Sequence, residues 1–286
     1  MSCRTGLGGV AVLGLVLTGC GAETDSAGDD PVFTVQPPAQ TVTATVAPEA
    51  PEDRLLVLAP VGEDDFAAVP FEQRGTVDVE MDVSRLTDGQ LTLEQDEEFG
   101  AVWDFPDYTG GAEPPRAIVS AVPPSDPDPL SPGESDFRYG ATFTKDEESR
   151  GSEVDNGDNL VQRGLASDVH QFKLELDDDR PRCQVKGIEG TLGVRSEVQV
   201  RAGVWYSVEC ERRGDALRVT VIVDPRGAGD VYSSEKEGPI GELDWTGMPT
   251  PIAVGGKLAS DGSVIRTATD QFNGLMTMAW LDVDGT

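Results

Sequence analysis

From Arg54 onward the chain repeatedly alternates apolar with polar side chains at a period of two, while the 3.6-residue period of a helix is scarce. Residues i and i+2 share one face of a strand, so this alternation describes sheets with one buried and one solvated face. Val77, Val79, Met81 and Val83 alternate with Asp78, Glu80 and Asp82 over 76–83. Phe172, Leu174 and Leu176 share a face over 170–176, as do Tyr206, Val208 and Cys210 over 204–210. Leu217, Val219, Val221 and Val223 repeat the pattern. In the last run, 274–283, Leu275, Thr277, Ala279, Leu281 and Val283 oppose Met276, Met278 and Trp280. Turn dipeptides such as Asp88-Gly89, Pro123-Pro124, Gly255-Gly256 and Asp261-Gly262 separate the runs. Many short strands between Gly, Pro and Asp predict an all-β fold, a two-sheet antiparallel β-sandwich of the jelly-roll kind.

Charge narrows the partners. The 286 residues carry 52 acidic and 22 basic side chains, a net charge of −30. A chain this acidic is repelled by nucleic acid and by anionic lipid surfaces, which excludes nucleic acid as a partner. Residues 21–53 hold five prolines, five threonines and seven acids, with no lysine or arginine and Phe33 as the sole aromatic. Such a segment cannot bury enough apolar surface to offset its ordering entropy. The composition predicts a disordered stalk over 20–53, extended to at most ~100 Å at ~3.1 Å per residue.

The start of the chain has its own pattern. Arg4 precedes an apolar run from Leu7 to Leu17, too short to span a bilayer, which takes about 20 residues, but suited to a signal-peptide core. Leu17-Thr18-Gly19-Cys20 resembles the lipobox of bacterial lipoproteins. That resemblance implies removal of residues 1–19, lipidation of Cys20, export and anchoring to the outer face of the cell membrane, the anchor being the only membrane contact. The alternative is an ordinary secretory signal with an incidental cysteine. Cys3 lies in the signal, so Cys183 and Cys210 remain as an even pair in an oxidising compartment, where a disulfide is the default.

Leu160-Val161-Gln162-Arg163-Gly164, then Gln171-Phe172-Lys173-Leu174-Glu175-Leu176, then Ala202-Gly203-Val204-Trp205-Tyr206-Ser207-Val208 form an ordered series. Pro251-Ile252-Ala253-Val254-Gly255-Gly256 and Asp270-Gln271-Phe272-Asn273-Gly274 extend it. The series resembles a bacterial laminin-G-like domain of the concanavalin-A-like jelly rolls, most clearly over 137–286, with 70–136 supplying earlier strands. The resemblance implies one domain over 54–286 that binds glycan or protein without catalysis, or serves as a scaffold. It also places Cys183 and Cys210 in or beside neighbouring strands, and makes Trp205 either a sugar-stacking rim aromatic or a packed one.

Candidate chemistry is sparse. Asp78, Glu80 and Asp82 fall on one strand face, with neighbours ~6.5–7 Å apart, and a carboxylate pair could serve a jelly-roll glycoside hydrolase. The competing reading is the solvated face of an outer strand. The sole histidine, His170, heads a strand, and no Gly-x-Ser-x-Gly elbow accompanies it. No cofactor is expected, although laminin-G-like domains can hold Ca²⁺. Asp177-Asp178-Asp179, or an acidic turn of Asp155, Asp158 and Asn159, could offer hard oxygen ligands. Long, turn-rich loops at 104–115, 123–135 and 226–241 are the candidate ligand-contacting segments. The expected partner is an extracellular glycan or protein. The alternatives are hydrolysis through Asp78, Glu80 and Asp82, or a purely structural envelope role.

Overall fold

In the computed structural model, the described residues are 54–60, 72–109, 113–124, 126–147, 158–266 and 270–284. Cys20, the stalk and Asp155 lie outside them. Among the described residues there are strands and no α-helix, arranged in two sheets packed face to face.

The larger sheet contains β1 (Leu56–Ala59), β2 (Glu72–Arg74), β4 (Thr92–Asp96), β5 (Gly100–Phe105), β7 (Phe137–Lys145), β12 (Tyr206–Arg213), β13 (Ala216–Val223), β14 (Val231–Glu237) and β16 (Gly274–Val283). Its order is β14-β13-β12-β7-β16-β1-β2, and the β4–β5 hairpin pairs with the start of β16. The second sheet runs β11-β10-β9-β8-β15-β6-β3, from β11 (Gly190–Arg195), β10 (Arg180–Gly187), β9 (Gln171–Asp177), β8 (Asp158–Arg163), β15 (Ile252–Val254) and β6 (Arg116–Val122) to β3 (Glu80–Leu86). The paired strands are antiparallel in both sheets.

The alternation read from the sequence sets the packing. Phe172, Leu174 and Leu176 of β9, Tyr206, Val208 and Cys210 of β12, and Leu217, Val219 and Val221 of β13 all face the core. The early run keeps its phase, with Val77 and Val83 buried, although regular pairing begins only at Glu80.

The last strand departs from strict alternation. Met276 pairs with Phe143 and Met278 with Thr142, so Thr277 is an unpaired bulge residue. One extra residue inverts the facing of what precedes it. Met276 therefore joins Ala279, Leu281 and Val283 in the core, while Leu275 is only half-buried.

Two features tie the sheets together. Cys183 of β10 and Cys210 of β12 form a disulfide with Cα atoms 5.6 Å apart, both fully buried. They are neighbours across the core, on opposite sheets, rather than along one sheet. Tyr139 of β7 reaches between β9 and β10, where its hydroxyl donates to the Lys173 and Gln184 carbonyls, 3.1 Å each. Burial pushes the phenol pKa well above its ordinary value, so the donor stays protonated. On the outer side of the larger sheet, Trp280 lies against Gly140, where an added Cβ would sit 2.8 Å from the indole and 2.3 Å from the Val208 carbonyl oxygen. Arg54 covers that indole from above, 3.4 Å from the ring centroid.

Candidate functional site

Strand direction gives the sandwich two ends. One carries the β8–β9 connection after Arg163, the other the Asp146 side of β7. The candidate loops divide between them. Segment 123–135 sits at the Arg163 end, where Gly133 pairs with Leu243 and the Ser131 hydroxyl accepts from the Trp245 N–H at 2.6 Å. Segment 104–115 leaves β5 at the Asp146 end, where Asn273 donates to the Pro106 carbonyl. Segment 226–241 is not a continuous loop, because strand β14 occupies its middle and pairs with β13 over Ala216–Ile222.

The Arg163 end is built on a buried cation. Arg163 is fully enclosed, pairs with Asp128, and donates to the carbonyls of Thr250 at 3.1 Å and Leu130 at 3.2 Å. Burial lowers its pKa, and the Asp128 charge opposes that shift. Its guanidinium lies 4.5 Å from the Trp245 ring centroid, while His170 and Phe172 approach the same indole edge-on, each at 5.7 Å. Hydrogen bonds from Thr246 and Ser131 hold the Asp244 carboxyl below its usual range.

Short connections are fixed onto this base. Lys186 donates to the Ala166 and Asp168 carbonyls and so pins the β8–β9 loop to the end of β10. The Ile188 and Glu189 amides donate to the Glu242 and Ile240 carbonyls, 3.1 Å each. Gly187 permits that contact, since an added Cβ would stand 2.4 Å from the Ile240 oxygen. On this fixed frame Val169, Ile188 and Met248 are 62%, 59% and 44% exposed. They are three of the four large apolar side chains exposed among the described residues; the fourth, Tyr232, lies on β14.

The other sequence candidates take different positions. Asp78, Glu80 and Asp82 are exposed at the free edge of the smaller sheet, with Glu80 and Asp82 on edge strand β3. Asp82 accepts from the Val83 amide at 2.8 Å. This is the solvated face of an edge strand. His170 packs on Trp245 and is 9% exposed, a position of support within the rim. Trp205 is 3% exposed and packs on Phe99, 4.7 Å between centroids, so its sugar-stacking reading is lost.

Of the calcium candidates that fall within the described residues, two acids meet protein cations and two residues lie inside a strand. Asp178 and Asp179 form a turn with φ of 55° and 58° between β9 and β10. Asp179 pairs with Lys145 at 2.6 Å and Asp177 with Arg195 at 3.6 Å, so protein cations hold their carboxylates. Asp158 and Asn159 are buried within strand β8 rather than placed on a turn. Among the described residues no group of three or more His, Cys, Asp or Glu is placed to hold a metal ion.

Val169, Ile188 and Met248 were missed because their connections are short. The available signal was an aliphatic residue inside a turn context, as in Gly187-Ile188-Glu189-Gly190 and Gly247-Met248-Pro249.

Comparison with known proteins agrees with this architecture. The family model of the Laminin G domain matches residues 160–282, which begins in β8 and ends in β16. The binding domain of Paraclostridial Mosquitocidal Protein 1 is similar in structure at 12% identity, over 81% of this chain and 49% of that one, with a TM-score of 0.51. The LG1–3 region of the laminin α2 chain aligns at 15% identity over 52% of this chain and 28% of that one, with a TM-score of 0.41. The type G botulinum neurotoxin receptor-binding domain aligns at 8% identity over 80% and 47%, with a TM-score of 0.47. The chain thus spans half or less of the length of each of these structures. No curated protein matches the sequence. Residues 160–282 are thus similar to the Laminin G domain, and the two antiparallel sheets have the fold of a jelly-roll sandwich.

Proposed function

We propose that this protein is a non-enzymatic recognition lipoprotein, held on the outer face of the cell membrane through Cys20, that binds a protein ligand through the Arg163 end of its sandwich. The observation that carries the reading is the rim itself, with Val169, Ile188 and Met248 exposed on three connections fixed to one another. At this rim protein is favoured over glycan because all four tryptophans are buried, at 0%, 3%, 2% and 5% exposure for Trp103, Trp205, Trp245 and Trp280, and the exposed Tyr232 stands near the start of β14, toward the other end. Sugar sites commonly use an exposed aromatic face, whereas exposed apolar side chains without one gain by being buried against a protein surface.

Cys20→Ala tests the anchor: it should release the protein into the medium, and retention in the membrane fraction would contradict lipidation. Glycan-array binding and sugar-release assays on the full chain, with calcium and with chelator, test the ligand class. The expected result is no released sugar and no rim-dependent glycan binding. Saturable glycan binding abolished by Val169→Ser/Ile188→Ser/Met248→Ser would replace the protein ligand with a glycan. Sugar release lost in Glu80→Gln would restore the hydrolase.

A further inference from the structure

We infer that the Asp146 end carries a second site, on the outer face of the larger sheet, which takes an organic cation, an alkylammonium or guanidinium group, between Asp104 and Asp146. The site is independent of the Arg163-end rim. Register builds its floor. Trp103 and Phe105 of β5, Phe143 of β7 and Met276 of β16 face the core, which turns Asp104, Thr144 and Leu275 outward. Thr92, Asp104, Leu275 and Thr144 are successive partners across β4, β5, β16 and β7, so they form one row on that face. Asn273 gathers the next residues. Its carbonyl accepts from the Asp146 amide at 3.2 Å, and its side chain donates to the carbonyl of Pro106, which precedes Asp107.

This row differs from the acids exposed elsewhere. Asp104 and Asp146 are half-buried, and among the described residues they are the only carboxyls with a raised pKa. Burial leads in both. For Asp104 the Thr92 hydroxyl opposes and the Asp107 charge adds, while for Asp146 the charges of Asp107, Asp104 and Glu94 add and Lys145 opposes, leaving it at about 6. In the same row the Thr144 hydroxyl is enclosed without a hydrogen-bond partner, as is that of Thr277 at the bulge of the adjacent strand. Thr144 is 7% exposed. The nearest cation, Lys145, is committed to Asp179 at 2.6 Å, and none of Glu94, Asp104, Asp107 and Asp146 makes an ion pair with a described residue. Crowded carboxylates beside an idle hydroxyl acceptor suit a positive group with several N–H donors. A bare calcium ion needs its oxygens at about 2.3–2.6 Å, and no group of acids among the described residues is placed for that. Leu275, half-buried between Asp104 and Thr144, offers apolar contact to the methylenes that carry the cation. The cation competes with the proton on Asp146, so binding strengthens as pH rises through about 6.

The test is calorimetric titration of the full chain with pentylamine, Nα-acetyl-lysine amide and Nα-acetyl-arginine amide, against tetramethylammonium, which has the same charge and no donor. At pH 7.5 at least one N–H cation should bind at one site, about tenfold or more tighter than tetramethylammonium. At pH 5 it should bind about tenfold more weakly, following the ionised fraction of a carboxyl near 6. Pentylamine as the tightest ligand assigns the site to a free amine, and a blocked lysine or arginine as the tightest assigns it to a side chain that a protein presents. Asp146→Asn, which relieves carboxylate repulsion and so keeps the fold, should lower the affinity about tenfold and abolish the pH dependence. Thr144→Val should weaken the N–H cation about threefold and leave tetramethylammonium unchanged. Glu80→Gln/Asp82→Asn removes two exposed charges on β3 and should change nothing, which separates the site from attraction to the net charge. The inference is overturned if tetramethylammonium binds as tightly as every N–H cation, if Asp146→Asn retains both affinity and pH dependence, or if the β3 variant loses as much as Asp146→Asn.

Discussion

Arg163 and Asp128 form an ion pair in which neither side chain is exposed, and the guanidinium of that pair lies over Trp245. The pair anchors three parts of the rim: β8 through Arg163, segment 126–135 through Asp128 and Leu130, and the approach to β15 through Trp245 and Thr250. Its value lies in position, because burying two charges offsets most of what their attraction returns.

Breaking the pair is therefore costly. Asp128→Asn or Arg163→Met should each destabilise the protein by about 3–5 kcal/mol, since each leaves its partner buried without a counter-charge. The double variant Arg163→Met/Asp128→Leu should recover a large part of that loss. Chemical denaturation of the four proteins checks this, and additive single effects would show that the two residues do not act as a unit.

The disulfide closes a loop with a sequence separation of 27. In the chain-entropy account, Cys183→Ala/Cys210→Ala should cost about 3.5 kcal/mol. The denaturation midpoint should fall accordingly, with the strand signal in far-ultraviolet circular dichroism retained below it. A midpoint insensitive to the double substitution would contradict a bridge between the sheets.

Asp146 should make stability fall as pH rises through 6. Burial, then the charges of Asp107, Asp104 and Glu94, raise its carboxyl from 3.8 to about 6, with Lys145 opposing. A carboxyl whose folded pKa exceeds its unfolded pKa binds more protons folded than unfolded. Its stabilising contribution is complete below about pH 3.8 and is lost through the folded value near 6. Asp146→Asn should therefore be more stable than the native chain at pH 7.5 and lose that advantage at acid pH. The carboxyl is half-exposed and screened by solvent, so the gain is on the order of 1 kcal/mol and shrinks in high salt. A substitution neutral at both pH values would remove the clustered-carboxylate account.

Gly140→Ala should destabilise by about 1–3 kcal/mol, because the new methyl meets the Trp280 indole and the Val208 carbonyl on a central strand. Tryptophan emission should shift as Trp280 is displaced from beneath Arg54. Full stability with unchanged emission would show that the indole does not lie on the strand.

The sandwich was legible wherever one face of a strand is wet. Strands β9, β12 and β13 alternate cleanly because their outer faces carry Lys173, Glu209 and Arg218. It was less legible where both faces are covered. Strand β6 shows no such alternation over Ala117-Ile118-Val119, since Ile118 on its outer side is buried with Ala253 and Leu258. The bulge at Thr277 escaped because nothing local distinguishes it from its neighbours.

The rim was the least legible part. Arg163 looks like a solvated strand end until Asp128 and Trp245, distant in sequence, enclose it. Length and turn content drew attention to 226–241, where pairing with β13 places an edge strand. Connections such as Ile188-Glu189 acquire meaning only when folding brings 240–248 beside them.

The most direct test of the central claim places a photo-crosslinking amino acid singly at Val169, Ile188 and Met248, and for comparison at Asp78 and Arg218, in the full chain in its own cells. The account predicts that the rim positions trap the same discrete protein adduct and that Asp78 and Arg218 trap none. Adducts confined to Asp78 or Arg218, or a rim that traps nothing while the protein remains folded and disulfide-bonded, would contradict recognition through the Arg163 end.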